Sequence, residues 1–189
     1  MHEAIERRFT EHAEVLQATR EKLADRIDAA AALIVESYRA GGGVFLFGNG
    51  GSAADALHIA GELVGRFLID RPALKAQALS TDTSILTCLA NDFSYDQVFA
   101  RQLEANAKAG DVAVGFTTSG NSENVVAALK YARENGMKTV AFTGESGGAC
   151  AKLADVLFDI PSKVTARVQE AGQLIYHILC EIVETETVK

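Results

Sequence analysis

The stretch Gly43-Val44-Phe45-Leu46-Phe47-Gly48-Asn49-Gly50-Gly51-Ser52-Ala53-Ala54-Asp55-Ala56-Leu57-His58-Ile59-Ala60-Gly61-Glu62 decides the fold. Val44 to Phe47 is apolar, too short for a helix and flanked by glycines, so it reads as a buried strand of a parallel sheet. Gly48 to Ser52 then turns the chain, because glycine accepts positive φ and brings bare backbone N–H groups close to a ligand. A helix beginning at Ala53 puts those N–H groups at a helix N-terminus, where an anion is favoured. On that helix His58 and Glu62 are four residues apart and share one side. A turn shaped for an anion and two polar side chains further along make a candidate active-site wall.

Before this unit, residues 3 to about 40 lack Gly and Pro and carry Ile5, Phe9, Ala13, Leu16, Leu23, Ile27, Ala30 and Ile34 at helical spacing. The pattern predicts one long helix, or two with a break near Ala18 to Arg20, ended by Gly41-Gly42-Gly43. Such an arm, placed before the first strand, has only part of the domain to lie on, which predicts packing against another copy of the chain; its own sheet is the alternative bed.

After it, Ala76 to Ser80 reads as a short strand and Thr81 to Ser84 as an N-cap cluster opening a helix over Ile85 to Ala90, closed by Asn91-Asp92. Ser94 to Ala107 is amphipathic. Asp111 to Phe116, Thr139 to Thr143 and Val156 to Ile160 read as further strands, with a helix from Glu123 to Asn135 and a short one ending at Leu153. A last helix starts at Thr165. Apolar strands alternating with helices predict an α/β fold, a doubly wound parallel sheet of flavodoxin-like, three-layer type with a long N-terminal helical arm. Residues 1–189 are expected to form one domain, with 1–40 as the arm. In such sheets ligands bind beyond the carboxyl ends of the strands, where the loops 48–52 and 117–122 both lie.

A net charge of −7 argues against a nucleic-acid groove as the main function. No apolar run reaches the length of a membrane span, and the first residues show no signal-peptide pattern. Cys88, Cys150 and Cys180 are odd in number and widely spaced, which suggests core filler in a reducing compartment. The expectation is a cytoplasmic protein.

Thr117-Thr118-Ser119-Gly120-Asn121-Ser122 places four hydroxyls and a turn glycine before a helix. Hydroxyls and helix N–H groups together can hold a phosphate without a lysine. Plain N-capping would need only Ser122, so phosphate binding is preferred. Gly48-x-Gly50-x-x-Ala53 also fits the dinucleotide fingerprint, yet Asp82 lies too far along for the ribose carboxylate, and that reading leaves the hydroxyl loop idle.

On a helical wheel over 53–68, Ala56, Leu57, Ile59, Ala60, Leu63, Val64 and Phe67 form the core face, with Asp55, His58 and Glu62 opposite. In the last helix Val168, Ala171, Ile175, Ile178, Leu179 and Ile182 face the core, and Gln169, Glu170, Gln173 and His177 do not. A solvated polar face is the commoner reading of either row. If the two helices meet, His58, Glu62 and His177 suit a divalent metal such as zinc, or metal-free acid–base work by Glu62 and His177.

The run from Gly48 through His58 to Glu62, Asn91-Asp92-Phe93, Thr118 to Ser122, and Arg167-Val168-Gln169-Glu170 with His177 together resemble the phosphoheptose isomerase family of the sugar-isomerase (SIS) fold. The resemblance spans nearly the whole chain. It implies an SIS-type sheet and isomerisation of sedoheptulose 7-phosphate to D-glycero-D-manno-heptose 7-phosphate for bacterial surface glycans. It also implies a cytoplasmic homotetramer with sites at subunit interfaces, which favours the arm at a subunit contact. Zinc ligands implied by it are His58, Glu62, Gln169 and His177. Substrate contacts implied by it are Asn49, Gly50, Gly51, Ser52, Glu62, Asn91, Asp92, Thr117, Thr118, Ser119, Ser122 and Gln169. The wheel preferred neither Gln169 nor Gln173, so the resemblance alone selects Gln169. Ketose–aldose isomerisation moves a proton between C1 and C2 through an enediol, and Glu62 is the candidate base with His177 the acid.

One position departs from the family. Ala166 stands where many members carry an aspartate, which predicts a lower rate or a substitute group. The rival reading is a non-catalytic SIS protein, either a phosphosugar-binding module or a replication-initiator-associating protein. Such a protein would leave His58, Glu62 and His177 without a purpose.

Overall fold

A computed structural model describes residues 2–188. In chain order the elements are α1 (His2–Arg39), β1 (Val44–Gly48), α2 (Gly51–Val64), β2 (Ala76–Ala78), α3 (Thr83–Asp92), α4 (Ala100–Asn106), β3 (Val112–Phe116), α5 (Glu123–Glu134), β4 (Lys138–Thr143), β5 (Val156–Asp159) and α6 (Thr165–Val188). The strands form one parallel sheet in the order β2-β1-β3-β4-β5, with Val44 opposite both Ala76 and Val112. The order reverses at β1, so the expected doubly wound sheet is present.

Strand alternation sends side chains to two cores. Val44, Leu46, Val112, Val114, Phe116, Val140 and Phe142 pack beneath α1, α2 and α6. Phe45, Phe47, Ala113 and Ala141 pack on the opposite face against Val98, Phe99, Leu103 and the α5 residues Val125, Ala128 and Leu129. The result is the three-layer arrangement read from the sequence. The buried Asp111 carboxylate accepts the backbone N–H of Gly43 and of Lys108, both at 2.8 Å, and so fixes the start of β1 beside β3.

α1 is one continuous helix, with no break near residue 20. Its second half buries Leu23, Ala30, Ala31, Ile34 and Val35 in its own chain. Arg26 and Lys22 both reach Asp159 at the end of β5, each at 2.7 Å. Its first turns are exposed, with Phe9 at 70%.

Several boundaries differ from the sequence reading. β2 stops at Ala78, although Leu79 still donates its N–H to the Leu46 carbonyl. Asp82 caps α3 through the Ile85 N–H, and the helix runs through Asn91 and Asp92 instead of ending before them. The amphipathic segment 94–107 divides into a 3-10 turn at Tyr95–Gln97 and α4. The predicted short helix near 150 is a 3-10 turn at Gly148–Lys152. α2 ends at Val64, four residues early, because Arg71 takes the carbonyls of Glu62, Leu63 and Gly65. Leu57 and Val64, placed in the core by the wheel, are exposed. Cys88 is exposed as well and is not core filler, whereas Cys150 and Cys180 are buried free thiols.

Beneath the end of α2 lies a buried ion pair that the sequence reading missed. Glu184 is 1% exposed and accepts the N–H groups of Phe67, Leu68 and Ile69 at 2.6–2.8 Å. Arg71 Nε approaches it at 3.2 Å, off the line of a hydrogen bond. Burial would raise the Glu184 pKa, but the three N–H donors and Arg71 outweigh it and hold the carboxyl below its ordinary value.

Candidate active site

Both loops singled out in the sequence stand at the carboxyl ends of neighbouring strands, one after β1 and one after β3. Gly48 turns so tightly that a Cβ would lie 2.8 Å from the Ser52 carbonyl and 2.9 Å from that of Phe116. Gly50, at φ 57, is the N-cap of α2 and offers no side-chain cap. Ser52, Ala53 and Ala54 donate their N–H groups to the Asn49 and Gly50 carbonyls, while among the described residues no group takes those of Gly50 and Gly51, which leaves these two for an anion.

The second loop differs from a simple helix cap. Ser122 is the N-cap of α5, yet its hydroxyl caps nothing; it lies 2.9 Å from Thr117 Oγ1. Ser119 Oγ is 3.3 Å from the same oxygen and accepts the Asn121 N–H. Gly120 is at φ 71, and a Cβ there would meet the backbone of Gly147. The hydroxyls of Thr117, Ser119 and Ser122 are thus gathered at an uncapped helix N-terminus.

α6 crosses α2, and the contact creates the cluster that the sequence left conditional. His58 Nε2 lies 3.2 Å from Glu62 Oε1 and 3.4 Å from His177 Nε2. One ligand atom from each of the three residues falls within 4.8 Å of the other two. A tetrahedral zinc site with bonds of about 2.0–2.1 Å has edges of about 3.3–3.4 Å. His58 stands at about that edge length from both Glu62 and His177, and two imidazoles with a carboxylate so placed could hold such an ion with a fourth position open.

The surroundings fix the ring orientations. Tyr176, 2% exposed, brings its hydroxyl to 3.2 Å from His58 Nδ1 and 3.4 Å from Asp55 Oδ1. His58 thereby turns Nε2 towards Glu62 and His177. Phe67 stacks on the His177 ring at 5.6 Å between centroids. Burial lowers the His177 pKa, His58 lowers it further, and Glu62 opposes both. Burial raises the Asp55 pKa against the Tyr176 hydrogen bond and His58.

The remaining expected residues fall in different places. The Gln169 amide occupies the space a Gly51 Cβ would need and lines a small cleft with Ser52, Thr117 and Thr118. Gln173 is exposed. Asn91 and Asp92 are exposed, and their side-chain hydrogen bonds run to each other and to Cys88 Sγ; among the described residues none joins them to the triad or to either loop. The sequence reading passed over Tyr176, counted with neither helix face. It passed over Asn124 as well, which forms two hydrogen bonds with Asn49.

A family model described as the SIS domain matches residues 9–144. The chain is 50% identical over 186 residues to the phosphoheptose isomerase of Geobacter sp. (strain M21), covering 98% of this chain and 97% of that protein. To the phosphoheptose isomerase of Aquifex aeolicus (strain VF5) it is 52% identical over 184 residues, covering 97% and 96%. The solved phosphoheptose isomerase of Neisseria gonorrhoeae superposes with a TM-score of 0.92 at 40% identity, covering 97% of this chain and 98% of that one. With these relatives, this fold and both loops in place, the chain belongs to the phosphoheptose isomerase family of SIS-domain proteins.

Proposed function

We propose that the protein converts sedoheptulose 7-phosphate to D-glycero-D-manno-heptose 7-phosphate in bacterial heptose and surface-glycan synthesis. The observation that carries the reading is the His58–Glu62–His177 cluster beside two anion-ready loops, in a chain half identical to phosphoheptose isomerases. A non-catalytic SIS module would not need that cluster.

In this reading Thr117, Thr118, Ser119 and Ser122, with the start of α5, hold the phosphate. Asn49, Gly50, Gly51, Ser52 and Gln169 border the sugar. Asn91 and Asp92 enter only by resemblance. Glu62 takes the proton from C1 and returns one to C2 of the enediol, while His177 supplies and recovers the proton on the sugar oxygen. Positioning by the distal phosphate converts these transfers into steps within one complex. Zinc, when bound by His58, Glu62 and His177, would polarise the carbonyl and enediol oxygens. Gln169 is the candidate fourth ligand, and its amide here faces Gly51.

We further propose a single domain over residues 1–189 that works in the cytoplasm as a homotetramer, with α1 at a subunit contact. The exposed Ile5 and Phe9, and an apolar groove between α1 and α6 lined by Leu16, Ile27, Leu174 and Ile178, support a second copy there. Among the described residues no helix is long and apolar enough to cross a membrane.

The test is aldose formation from sedoheptulose 7-phosphate after chelation, with and without added zinc. Zinc-restored turnover is expected. Turnover indifferent to chelation would leave a metal-free Glu62/His177 pair, and no turnover under any condition would overturn the reading.

A further inference from the structure

Asn49 follows β1 directly, and its amide is engaged on nearly every side. Its Nδ2 donates to Asn124 Oδ1 at 2.8 Å, and Asn124 Nδ2 donates back to Asn49 Oδ1 at 2.9 Å. The Tyr95 hydroxyl donates to the same Asn49 oxygen at 3.1 Å. A primary amide has two N–H donors and two oxygen lone pairs. Both lone pairs of Asn49 are therefore taken, and so is one N–H. Among the described residues no group takes the second N–H, which belongs to a half-buried side chain next to Gly50 and Gly51.

We propose that Asn124 and Tyr95 are positioning residues that make Asn49 a one-way hydrogen-bond donor towards an acceptor oxygen of the sugar phosphate. The inference rests on the sugar-phosphate isomerase reading above. Its physical basis is the burial of Asn124, which is 3% exposed and has no hydrogen-bond partner but Asn49 among the described residues. Leaving that buried amide unpaired would carry a desolvation penalty, so the pair locks both side chains. Asn124 sits in the first turn of α5, immediately behind the hydroxyl loop. The pair thus ties the loop after β1 to the loop after β3. With its oxygen blocked, Asn49 offers nothing to a hydroxyl proton and serves a phosphate, carbonyl or enediol oxygen.

The experiment compares binding and turnover of sedoheptulose 7-phosphate by the wild type, Tyr95→Phe, Asn124→Ala, Asn49→Ala and Asn49→Asp, each with its thermal midpoint. Tyr95→Phe keeps the ring at an exposed site, and its KM should rise about threefold with kcat within about twofold. Asn124→Ala should raise KM about tenfold. Asn49→Asp presents acceptors only, so it should bind at least about tenfold more weakly than Asn49→Ala. Binding by Asn49→Asp equal to or tighter than Asn49→Ala would overturn the donor assignment. Unchanged KM in both Tyr95→Phe and a folded Asn124→Ala would overturn the positioning roles. If Asn124→Ala fails to fold, Tyr95→Phe and the Asn49 pair decide. A wild type that neither binds nor isomerises the sugar phosphate would overturn the functional reading, and this inference with it.

Discussion

His58 and His177 meet Nε2 to Nε2 at 3.4 Å with their ring planes inclined at 74°. Two lone pairs at that separation need a proton or a cation between them. Burial and the neighbouring His58 hold the His177 pKa below the usual imidazole value, so the ring is neutral at pH 7 and available as a ligand. Zinc affinity should hold through neutral pH and fall as acidification passes the His177 pKa. Zinc titrations between about pH 5 and 8 check this; an affinity that does not weaken on acidification would contradict the site.

Tyr176→Phe keeps the buried ring against Phe116 but removes the hydroxyl that faces His58 Nδ1 and Asp55. Loss of such an outer hydrogen bond should weaken zinc about tenfold or more with little change in thermal midpoint. Competition with a chelating dye measures it.

Glu62→Gln should cut turnover by about 10²–10⁴-fold or more while the protein stays folded. The carboxylate is half-buried and among the described residues its ion pair is with His58 alone, so the fold should not depend on it. Substantial residual activity in this variant would remove Glu62 as the base.

Glu184→Gln breaks a buried ion pair and weakens the acceptor for three N–H groups, which should cost about 3–5 kcal/mol in denaturant unfolding. The pH sign follows from the depressed carboxyl. Its stabilisation is present above the unfolded carboxylate pKa of about 4.3 and is lost as pH falls through the lower folded value. The wild type should therefore lose stability on acidification more steeply than the variant.

Ser122→Ala separates capping from ligand binding. A capping serine would cost about 0.5–2 kcal/mol on removal. Since the hydroxyl bonds Thr117 instead, stability should change by less, and KM for the sugar phosphate should rise. A loss of stability with unchanged KM would restore the capping role.

What could be read from the sequence was whatever periodicity or turn chemistry encodes. The apolar strands, the glycine turn at Gly48 and the polar rows bearing His58 and His177 all belong to that class, and the parallel sheet follows from them. Whether α2 meets α6 depends on packing between segments over a hundred residues apart, so the triad stayed conditional until the fold was known. Tyr176 was assigned to neither face of the last helix; its ring is buried in the core, and only the packed structure shows its hydroxyl reaching His58 and Asp55. Glu184 lies on the final helix like an ordinary surface charge. Its burial comes from the loop at Phe67 to Ile69 folding over it, which no local spacing records. Leu57 and Val64 misled the wheel because an apolar residue is free to face outwards where another surface can cover it.

α2 starts at the glycine turn and carries His58 and Glu62 along its length. At about 1.5 Å per residue, His58 stands roughly 10 Å and Glu62 roughly 16 Å beyond Gly51, so one rigid element sets the spacing between the turn and the cluster. In the proposed reading the phosphate sits in the loop after β3, and the sugar has to bridge from that strand end to a different helix. A sugar phosphate with fewer carbons, held by the same loop, should be isomerised more slowly because its carbonyl falls short of Glu62.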